Sequence, residues 1–362
     1  MNKILLVFGT RPELIKLAPV IEEFRKRDQR ERLFVVNTNQ HKNLDRHDFE
    51  YFHVDIDYQF QMERQSDSLL ELNGMLLLGF DELKKRINSL KIQIGSIIAQ
   101  GDTCTAFCAA QFAFYEKIPF FHIEAGLRTF DFEQPFPEEY YRKTISSITT
   151  VHFAPTLTAK ENLLAEGYAP ETILVTGNTG IDNLRKHLNM NQLENQNRMD
   201  NNLILITIHR RENIIDNLNQ IINSIIDLCI NNPEKSFLWI DNPGYKVKPH
   251  IPNDIHNLKV IEPVSFLEML DLYNKAAILI TDSGGIQEEG AYLGIPTLLY
   301  RTKTERTESV LFGISKFITD DENDLDLIIK QLNTGNNQVG NPMFGDGYAS
   351  QKIVDYIEEK WL

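Results

Sequence analysis

The sequence predicts an α/β fold of two Rossmann-like domains facing a cleft, and three observations carry that prediction. Apolar runs of strand length alternate with helical stretches from Lys3 onward, the pattern of a parallel sheet covered on both faces. The alternation breaks once, between His187 and Asn202, where the composition turns to Asn, Gln and Met without apolar period, and then begins again. At 362 residues the chain is also too long for one typical core and fits two domains of ordinary size. We place the first domain at 1–177 and the second at 178–349, with a final helix in 350–362 free to pack on either. No sequence repeat relates the two halves.

Ile4–Phe8 follows Met1-Asn2-Lys3 as the apolar stretch of a leader would, but it is short and no small-residue cleavage site follows, so it reads as the first strand. Glu13–Arg27 reads as a helix, with Pro12 at its start, where a missing N–H costs nothing. Leu33–Asn37 is a strand, Ser66–Leu90 a long helix, Ile94–Ala99 a strand, Thr103–Glu116 a helix and Pro119–Ile123 a strand; Val151–Ala154 and Thr172–Val175 close the series. The second series starts with strand Leu203–Ile208 and helix Glu212–Ile230, followed by strands Phe237–Ile240 and Lys259–Ile261. Helix Ser265–Lys275, strand Ala277–Thr281, a helix from Gly285 and strand Pro296–Tyr300 complete it, before a last helical stretch at Ser350–Lys360.

Composition excludes several classes. Hydrophobic residues at 42% and charged residues at 24% describe an ordinary globular chain, and no stretch approaches the ~18 consecutive apolar residues of a membrane helix. A formal charge of -14 opposes loose binding to nucleic acid or to anionic lipid, so an anionic ligand needs a local cationic pocket. Cys104, Cys108 and Cys229 are the only cysteines, which suits a reducing compartment without a disulfide framework. Cys104 and Cys108 fall on one face of a helix and read as buried. No Cys-x-x-Cys or His-Glu-x-x-His spacing points to a metal.

Between residues 101 and 139 four carboxylates stand where strand-like runs stop: Asp102 after Gly101, Glu124 after Ile123, and Glu138-Glu139 after Pro137. The carboxyl ends of parallel strands are where open α/β sheets bind ligands, so Asp102 and Glu124 are expected to face one crevice, with Glu138 on a nearby loop or helix start. Acid/base chemistry on a neutral carbon is the natural use of such a group. Asp102 has a rival reading as the cap of the helix beginning at Thr103, and Glu138-Glu139 as first-turn acids. Glu124, beside Ala125-Gly126, has no such alternative.

Three further segments suit an anion or a nucleotide. Gly9-Thr10-Arg11-Pro12-Glu13 joins the first strand to a helix, so its backbone N–H groups and Arg11 could hold an anion, with Lys16 one turn further on. Neither GxGxxG nor a Walker lysine loop is present, which argues against dinucleotide redox chemistry and nucleotide hydrolysis. Thr281-Asp282-Ser283-Gly284-Gly285 leads a strand into a helix whose glycines allow close approach of a phosphate, and an acid one turn below, Glu288 or Glu289, could accept from a ribose. Arg301, Lys303 and Arg306 add cations nearby. His209-Arg210-Arg211 ends the first strand of the second domain and could donate to a diphosphate.

Taken in order, Gly9–Lys16, Gln40-His41, Gly101–Thr105, His122–Thr129, Pro137–Arg142, His152–Thr156, Thr176–Asp182, Thr207–Asn213, Asp282–Glu289 and Thr304–Glu308 resemble the blocks of the non-hydrolysing UDP-N-acetylglucosamine 2-epimerases across nearly the whole chain. The resemblance implies a two-domain fold of the glycosyltransferase-B type, a cytoplasmic homodimer, and interconversion of UDP-GlcNAc and UDP-ManNAc for surface polysaccharide. It implies elimination of UDP to a 2-acetamidoglucal followed by re-addition, with no cofactor and no metal. Asp102, Glu124 and Glu138 would then be the acid/base set. Arg11, Lys16, Arg142 and His209 would bind or stabilise the departing diphosphate. Ser283, Gly284 and Gly285 would hold phosphate, Glu289 the ribose, and Arg306 would complete the cleft, which is expected to close by a hinge.

Some positions depart from the family. Ile240-Asp241-Asn242-Pro243 stands where His-x-Asn-Pro is usual, and that histidine belongs in bacterial members to a second, activating UDP-GlcNAc site; isoleucine cannot hydrogen-bond. Tyr141 replaces an Asn, Thr307 a proline, and Phe266 and Met269 stand where aromatic residues near the uracil are usual. Rival readings are a hydrolysing 2-epimerase, which usually carries a different first loop, a 2-epimerase of a modified UDP-sugar, a glycosyltransferase of the same fold, and a non-catalytic UDP-sugar binder.

Overall fold

The computed structural model describes residues 2–40, 46–188, 202–210, 213–214, 217–241, 247–252, 254–318 and 338–362. Most of the expected 187–202 connection, His41, Arg211, Glu212, Asn242 and Pro243 lie outside the described residues. The chain divides into two compact units, Met1–Asn183 with Gly347–Leu362, and Leu184–Asp346. The first unit therefore ends at Asn183, a few residues past the expected boundary at 177 and short of the change of composition. Asn178 donates to Glu124 at 2.9 Å, and the Asp182 carboxylate accepts from the backbone N–H of Ala349 at 3.0 Å and of Ser350 at 2.7 Å.

The first unit is built on seven parallel strands: β1 (Lys3–Phe8), β2 (Leu33–Asn37), β3 (Tyr58–Gln59), β4 (Ile94–Gln100), β5 (Phe120–Ile123), β6 (Val151–Ala154) and β7 (Ile173–Val175). Their order is β3-β2-β1-β4-β5-β6-β7, so the direction of winding reverses between β1 and β4. Leu6 lies in register with Val35 on one side and Ile98 on the other, and all three are fully buried. Such fully covered central strands read as unbroken apolar runs rather than alternating ones. The helices Leu69–Ser89 and Cys104–Glu116 pack on this sheet, with Phe80 stacked on Phe112 at 5.1 Å between ring centroids. Cys104 and Cys108 are both buried there, as their spacing predicts.

The second unit repeats the plan with six parallel strands: β8 (Leu203–Thr207), β9 (Ser236–Ile240), β10 (Leu258–Ile261), β11 (Ala276–Thr281), β12 (Thr297–Leu299) and β13 (Ser315–Phe317). The order β10-β9-β8-β11-β12-β13 places its reversal between β8 and β11. Reversal points open a crevice at the carboxyl ends of the two central strands, because the connections leave them on opposite faces. The turns leaving β1 and β4, and those leaving β8 and β11, carry the sequence-predicted residues Arg11, Asp102, His209, Ser283, Gly284 and Gly285.

Sequence reading missed Tyr58–Gln59, Ser315–Phe317 and the helices Arg46–Phe52, Leu157–Ala165, Thr179–His187 and Thr307–Leu311, which are short or polar. The second unit's first long helix is Leu218–Asn231, starting later than Glu212. The final helix, Ala349–Trp361, packs on Arg11–Lys26 in the first unit through buried Ile353, Val354 and Ile357, while Trp361 meets Phe121 edge-on at 4.9 Å. Arg27 also reaches Asp355 at 2.7 Å and Glu358 at 2.5 Å, but these surface pairs contribute little beside the apolar seam. Ile353→Ala should therefore lower the unfolding free energy by about 2–5 kcal/mol, read from denaturant melts, whereas Asp355→Ala should change it by under about 1 kcal/mol.

Candidate active site

At the first reversal point, Thr10 caps the Arg11–Lys26 helix and Glu13 completes the capping box. The closure is tighter than the sequence suggests: Gly9 N–H and Thr10 N–H donate to Glu13 Oε2 at 3.0 and 2.8 Å, and Thr103 Oγ1 lies 2.5 Å from Glu13 Oε1. Those two N–H groups are among the ones expected to hold an anion, and Glu13 engages both. Arg11 and Lys16 are the cationic side chains at the start of this helix. Glu13 itself is fully buried, and burial pushes its carboxyl up from 4.5 to about 7 against the opposing pull of its hydrogen bonds.

Asp102 does not cap the next helix. Thr103 does, its hydroxyl accepting from Ala106 N–H at 3.0 Å. Asp102, three-quarters buried at its side chain, accepts instead from Arg142, whose Nε and Nη2 lie 2.8 and 2.5 Å from Oδ2. Glu124 follows β5 directly, in a turn with a left-handed φ of 68°, a conformation costly for a residue with a Cβ and consistent with a side chain held for a purpose. Its Oε2 forms a short ion pair with Lys16 Nζ and accepts from Gln100 at 2.8 Å and Asn178 at 2.9 Å. Two carboxylates at neighbouring strand ends are thus each clamped to a cation.

Glu138 is the first residue of the Glu138–Ile148 helix and partly exposed, whereas Glu139 is buried and works in the fold. Its carboxylate accepts the N–H groups of Thr129 at 3.1 Å and Phe130 at 3.0 Å and pairs with Arg142 Nη1 at 3.2 Å. Arg142 therefore bridges Asp102 and Glu139, so its charge is shared before any ligand arrives.

At the second reversal point, Thr207 and Thr281 meet through their hydroxyls at 2.7 Å. Asp282, wholly buried, gathers the β8 loop: it accepts His209 N–H at 3.1 Å, Arg210 N–H at 2.8 Å and the Asn213 amide at 2.9 Å, and its Oδ1 lies 3.4 Å from His209 Nδ1. The His209 side chain is half exposed. Ser283 caps the Gly284–Leu293 helix, with Ile286 N–H 3.4 Å from its hydroxyl. A Cβ on Gly284 would stand 2.2 Å from Arg306 Nη1, so the guanidinium requires glycine there; one on Gly285 would meet only Ser283 Oγ at 3.8 Å. Of these two glycines, then, only Gly284 is sterically demanded by its protein neighbours.

Arg306 is buried between Glu288, at 2.7 Å from its Nε, and Glu305, with which it forms a short ion pair. Glu305 also binds Arg301 at 2.5 Å and lies 3.5 Å from Arg210. Arg301 and Arg306 are accordingly internal ion-pair partners rather than loose surface cations, and burial lowers the Arg301 pKa. Of the two glutamates offered for a ribose, Glu288 is committed to Arg306, and Glu289 is half-buried in a short hydrogen bond from buried Tyr273.

A sequence profile described as UDP-N-acetylglucosamine 2-epimerase matches residues 24–358. The chain belongs to that family. It is 35% identical over 378 residues to the UDP-N-acetylglucosamine 2-epimerase of Salmonella borreze, covering 99% of this chain and 98% of that one. Among solved structures, the Neisseria meningitidis UDP-GlcNAc 2-epimerase bound to UDP-GlcNAc superposes with a TM-score of 0.87 at 35% identity, covering 99% and 100% of the two chains. The Methanocaldococcus jannaschii enzyme in complex with UDP-GlcNAc and UDP gives 0.84 at 31%, covering 99% of each.

Within this epimerase family the departures have visible settings here. Tyr141, in place of Asn, stacks on Phe107 at 4.7 Å and accepts from Asn73 at 3.4 Å, so the change enlarges the core. Phe266 is buried edge-on to His187 at 6.0 Å, and Ile240 ends β9. Nothing in the structure explains Thr307. Sequence reading assigned no role to Glu13, Gln100, Asn178, Asp282 or Glu305, although most lie in or beside the family blocks.

Glu13 makes stability depend on pH. In the fold it holds a proton up to about pH 7, in the unfolded chain only to about 4.5, so its stabilising contribution is complete below 4.5 and is lost as pH rises through 7. Glu13→Gln mimics the neutral acid without ionising. Its unfolding free energy should match wild type at pH 5 and exceed it at pH 8.5 by up to about 3 kcal/mol, measured by urea denaturation at both pH values.

Proposed function

We propose that this protein is a non-hydrolysing UDP-N-acetylglucosamine 2-epimerase that interconverts UDP-GlcNAc and UDP-ManNAc in the cytoplasm, supplying a precursor of surface polysaccharide. The observation that carries the reading is the pair of clamped carboxylates, Asp102 with Arg142 and Glu124 with Lys16, at neighbouring strand ends of the first unit. The first loop, Gly9-Thr10-Arg11-Pro12-Glu13, supports the non-hydrolysing type over the hydrolysing one.

C2 of the sugar is not adjacent to a carbonyl, so its proton is poorly acidic. A carboxylate removes it while the C1–O bond breaks and the bonding pair leaves with UDP, giving 2-acetamidoglucal. UDP then adds back to C1 as a proton is delivered to the opposite face of C2, which calls for more than one acid/base group, and Asp102, Glu124 and Glu138 are the candidates. Nothing is oxidised or reduced overall, so the cycle consumes no cofactor. In the first unit Arg11, Lys16 and Arg142 offset charge that grows on the leaving diphosphate. In the second, Ser283, Gly284 and Gly285 present a helix start to phosphate, Glu289 takes the ribose, His209 faces the diphosphate, and Arg306 holds the glycine turn in shape.

Pure protein incubated with UDP-GlcNAc in D₂O without added cofactor should incorporate deuterium at C2 and yield UDP-ManNAc by NMR. Asp102→Asn should slow this by ~10²–10⁴-fold with the fold intact by circular dichroism. Free ManNAc would assign the hydrolysing reaction instead, and no exchange at C2 would remove the proposal.

We also propose a homodimer assembled through the first unit. Leu70 and Leu78 on the Leu69–Ser89 helix are 87% and 69% exposed, and Phe114 and Tyr115 on the adjoining Cys104–Glu116 helix 63% and 67%, large apolar side chains of the kind that a partner covers. Light scattering should give twice the chain mass, and Leu78→Asp with Phe114→Asp should halve it; a wild-type monomer would dispose of the proposal.

A further inference from the structure

Asp102 lies outside any strand and does not cap its helix, yet its backbone is fixed on both sides. Ahead of it, Gly101 turns the chain at a φ of 76°, and both of its polar backbone groups are tied to β5: its N–H donates to Ile123 O at 3.0 Å, and its carbonyl accepts from His122 Nε2 at 2.7 Å. Behind it, Thr103 is held by Glu13 at 2.5 Å. The residue that follows β5 directly is Glu124. One strand end therefore carries one carboxylate and, two residues earlier, the group that holds the turn bearing the other.

A carbonyl can only accept, so His122 carries its proton on Nε2 and leaves Nδ1 as an acceptor. That Nδ1 is buried without a hydrogen-bond partner among the described residues. Burial also drives the imidazole pKa down to about 4, so the ring stays neutral and the donor persists through the ordinary pH range. A phenylalanine would fill the same space, 6.3 Å from Phe120, without stranding a buried nitrogen. The use that sets an imidazole apart from a plain ring here is the bond to Gly101.

Resting on the function proposed above, we infer that His122 is a positioning residue for the epimerisation. Its Nε2–H pins the Gly101 carbonyl and so sets the spacing of the Asp102 and Glu124 carboxylates about the sugar carbon. Removing it lets the Asp102 turn drift while Glu124 stays with Lys16, Gln100 and Asn178. Displacements near 1 Å in such a constellation cost roughly 10²-fold in rate.

The test compares full-length wild type, His122→Phe, which keeps ring volume without the donor, and His122→Gln, which restores an N–H within reach of the carbonyl. In the D₂O assay the Phe variant should lose about 10²-fold in kcat with KM and UDP affinity changed by no more than about twofold, and the Gln variant should recover at least about tenfold of that loss. Wild-type kcat in the Phe variant overturns the inference. So does equal loss in both variants together with weakened UDP binding, the mark of a merely structural histidine. The ¹³C carboxyl resonance of Asp102, followed in Asp-labelled protein, should shift in the Phe variant and return in the Gln variant, which requires no turnover. Should wild type show no C2 exchange, the proposed function falls and the epimerisation role of His122 with it, while that resonance still decides whether His122 positions the Asp102 turn.

Discussion

The Glu124 carboxylate is the point on which the first unit's site depends. One oxygen receives Lys16 from the first helix, Gln100 from the end of β4 and Asn178 from the loop beyond β7. A buried carboxylate alone would neutralise itself or unfold its surroundings, and a buried ion pair does not reliably offset its own desolvation. Two amide donors added to the ammonium supply the missing polar environment, and the strained backbone at Glu124 is tolerated because three segments over-determine the position. The arrangement holds the carboxylate in place and away from solvent, the setting needed by the acid/base group we propose it to be.

The second unit meets a related constraint with opposite signs. Three arginines, Arg210, Arg301 and Arg306, converge on Glu305, with Glu288 beyond Arg306 and Asp282 collecting the backbone of the His209 loop. In a chain of formal charge -14 a cationic nucleotide site must be built locally. Here Arg210, Arg301 and Arg306 are tied into the scaffold, Arg306 lying against Gly284, and the helix start with the half-exposed His209 is the edge we propose for the nucleotide.

Both units follow one rule of parallel sheets. Strand order reverses between β1 and β4 and between β8 and β11, and the loops leaving those four strands carry Arg11, Asp102, His209 and Ser283. Glu124, one strand further out, is drawn in because Gly101 is bonded through both its backbone groups to β5. Site geometry is thus inherited from strand register, and a residue such as His122 acts on the site from inside the sheet.

Local sequence determined the strands and most long helices, since uninterrupted apolar runs such as Leu5–Phe8 and Ala277–Ile280 fit little other than a covered parallel sheet, and it brought out the carboxylates by setting them where those runs end. It also carried the family, because the blocks recur in order. Short polar helices such as Leu157–Ala165 left no comparable trace. Only tertiary structure decided which of two adjacent similar residues acts as support: Glu139 inside and Glu138 partly exposed, Glu288 on Arg306 and Glu289 on Tyr273, Thr103 as cap in place of Asp102, Glu13 engaging the N–H groups offered to an anion. The physical reason is that charge and spacing are written along the chain, whereas desolvation and hydrogen-bond partnership depend on segments far apart in sequence that meet only when the sheet forms.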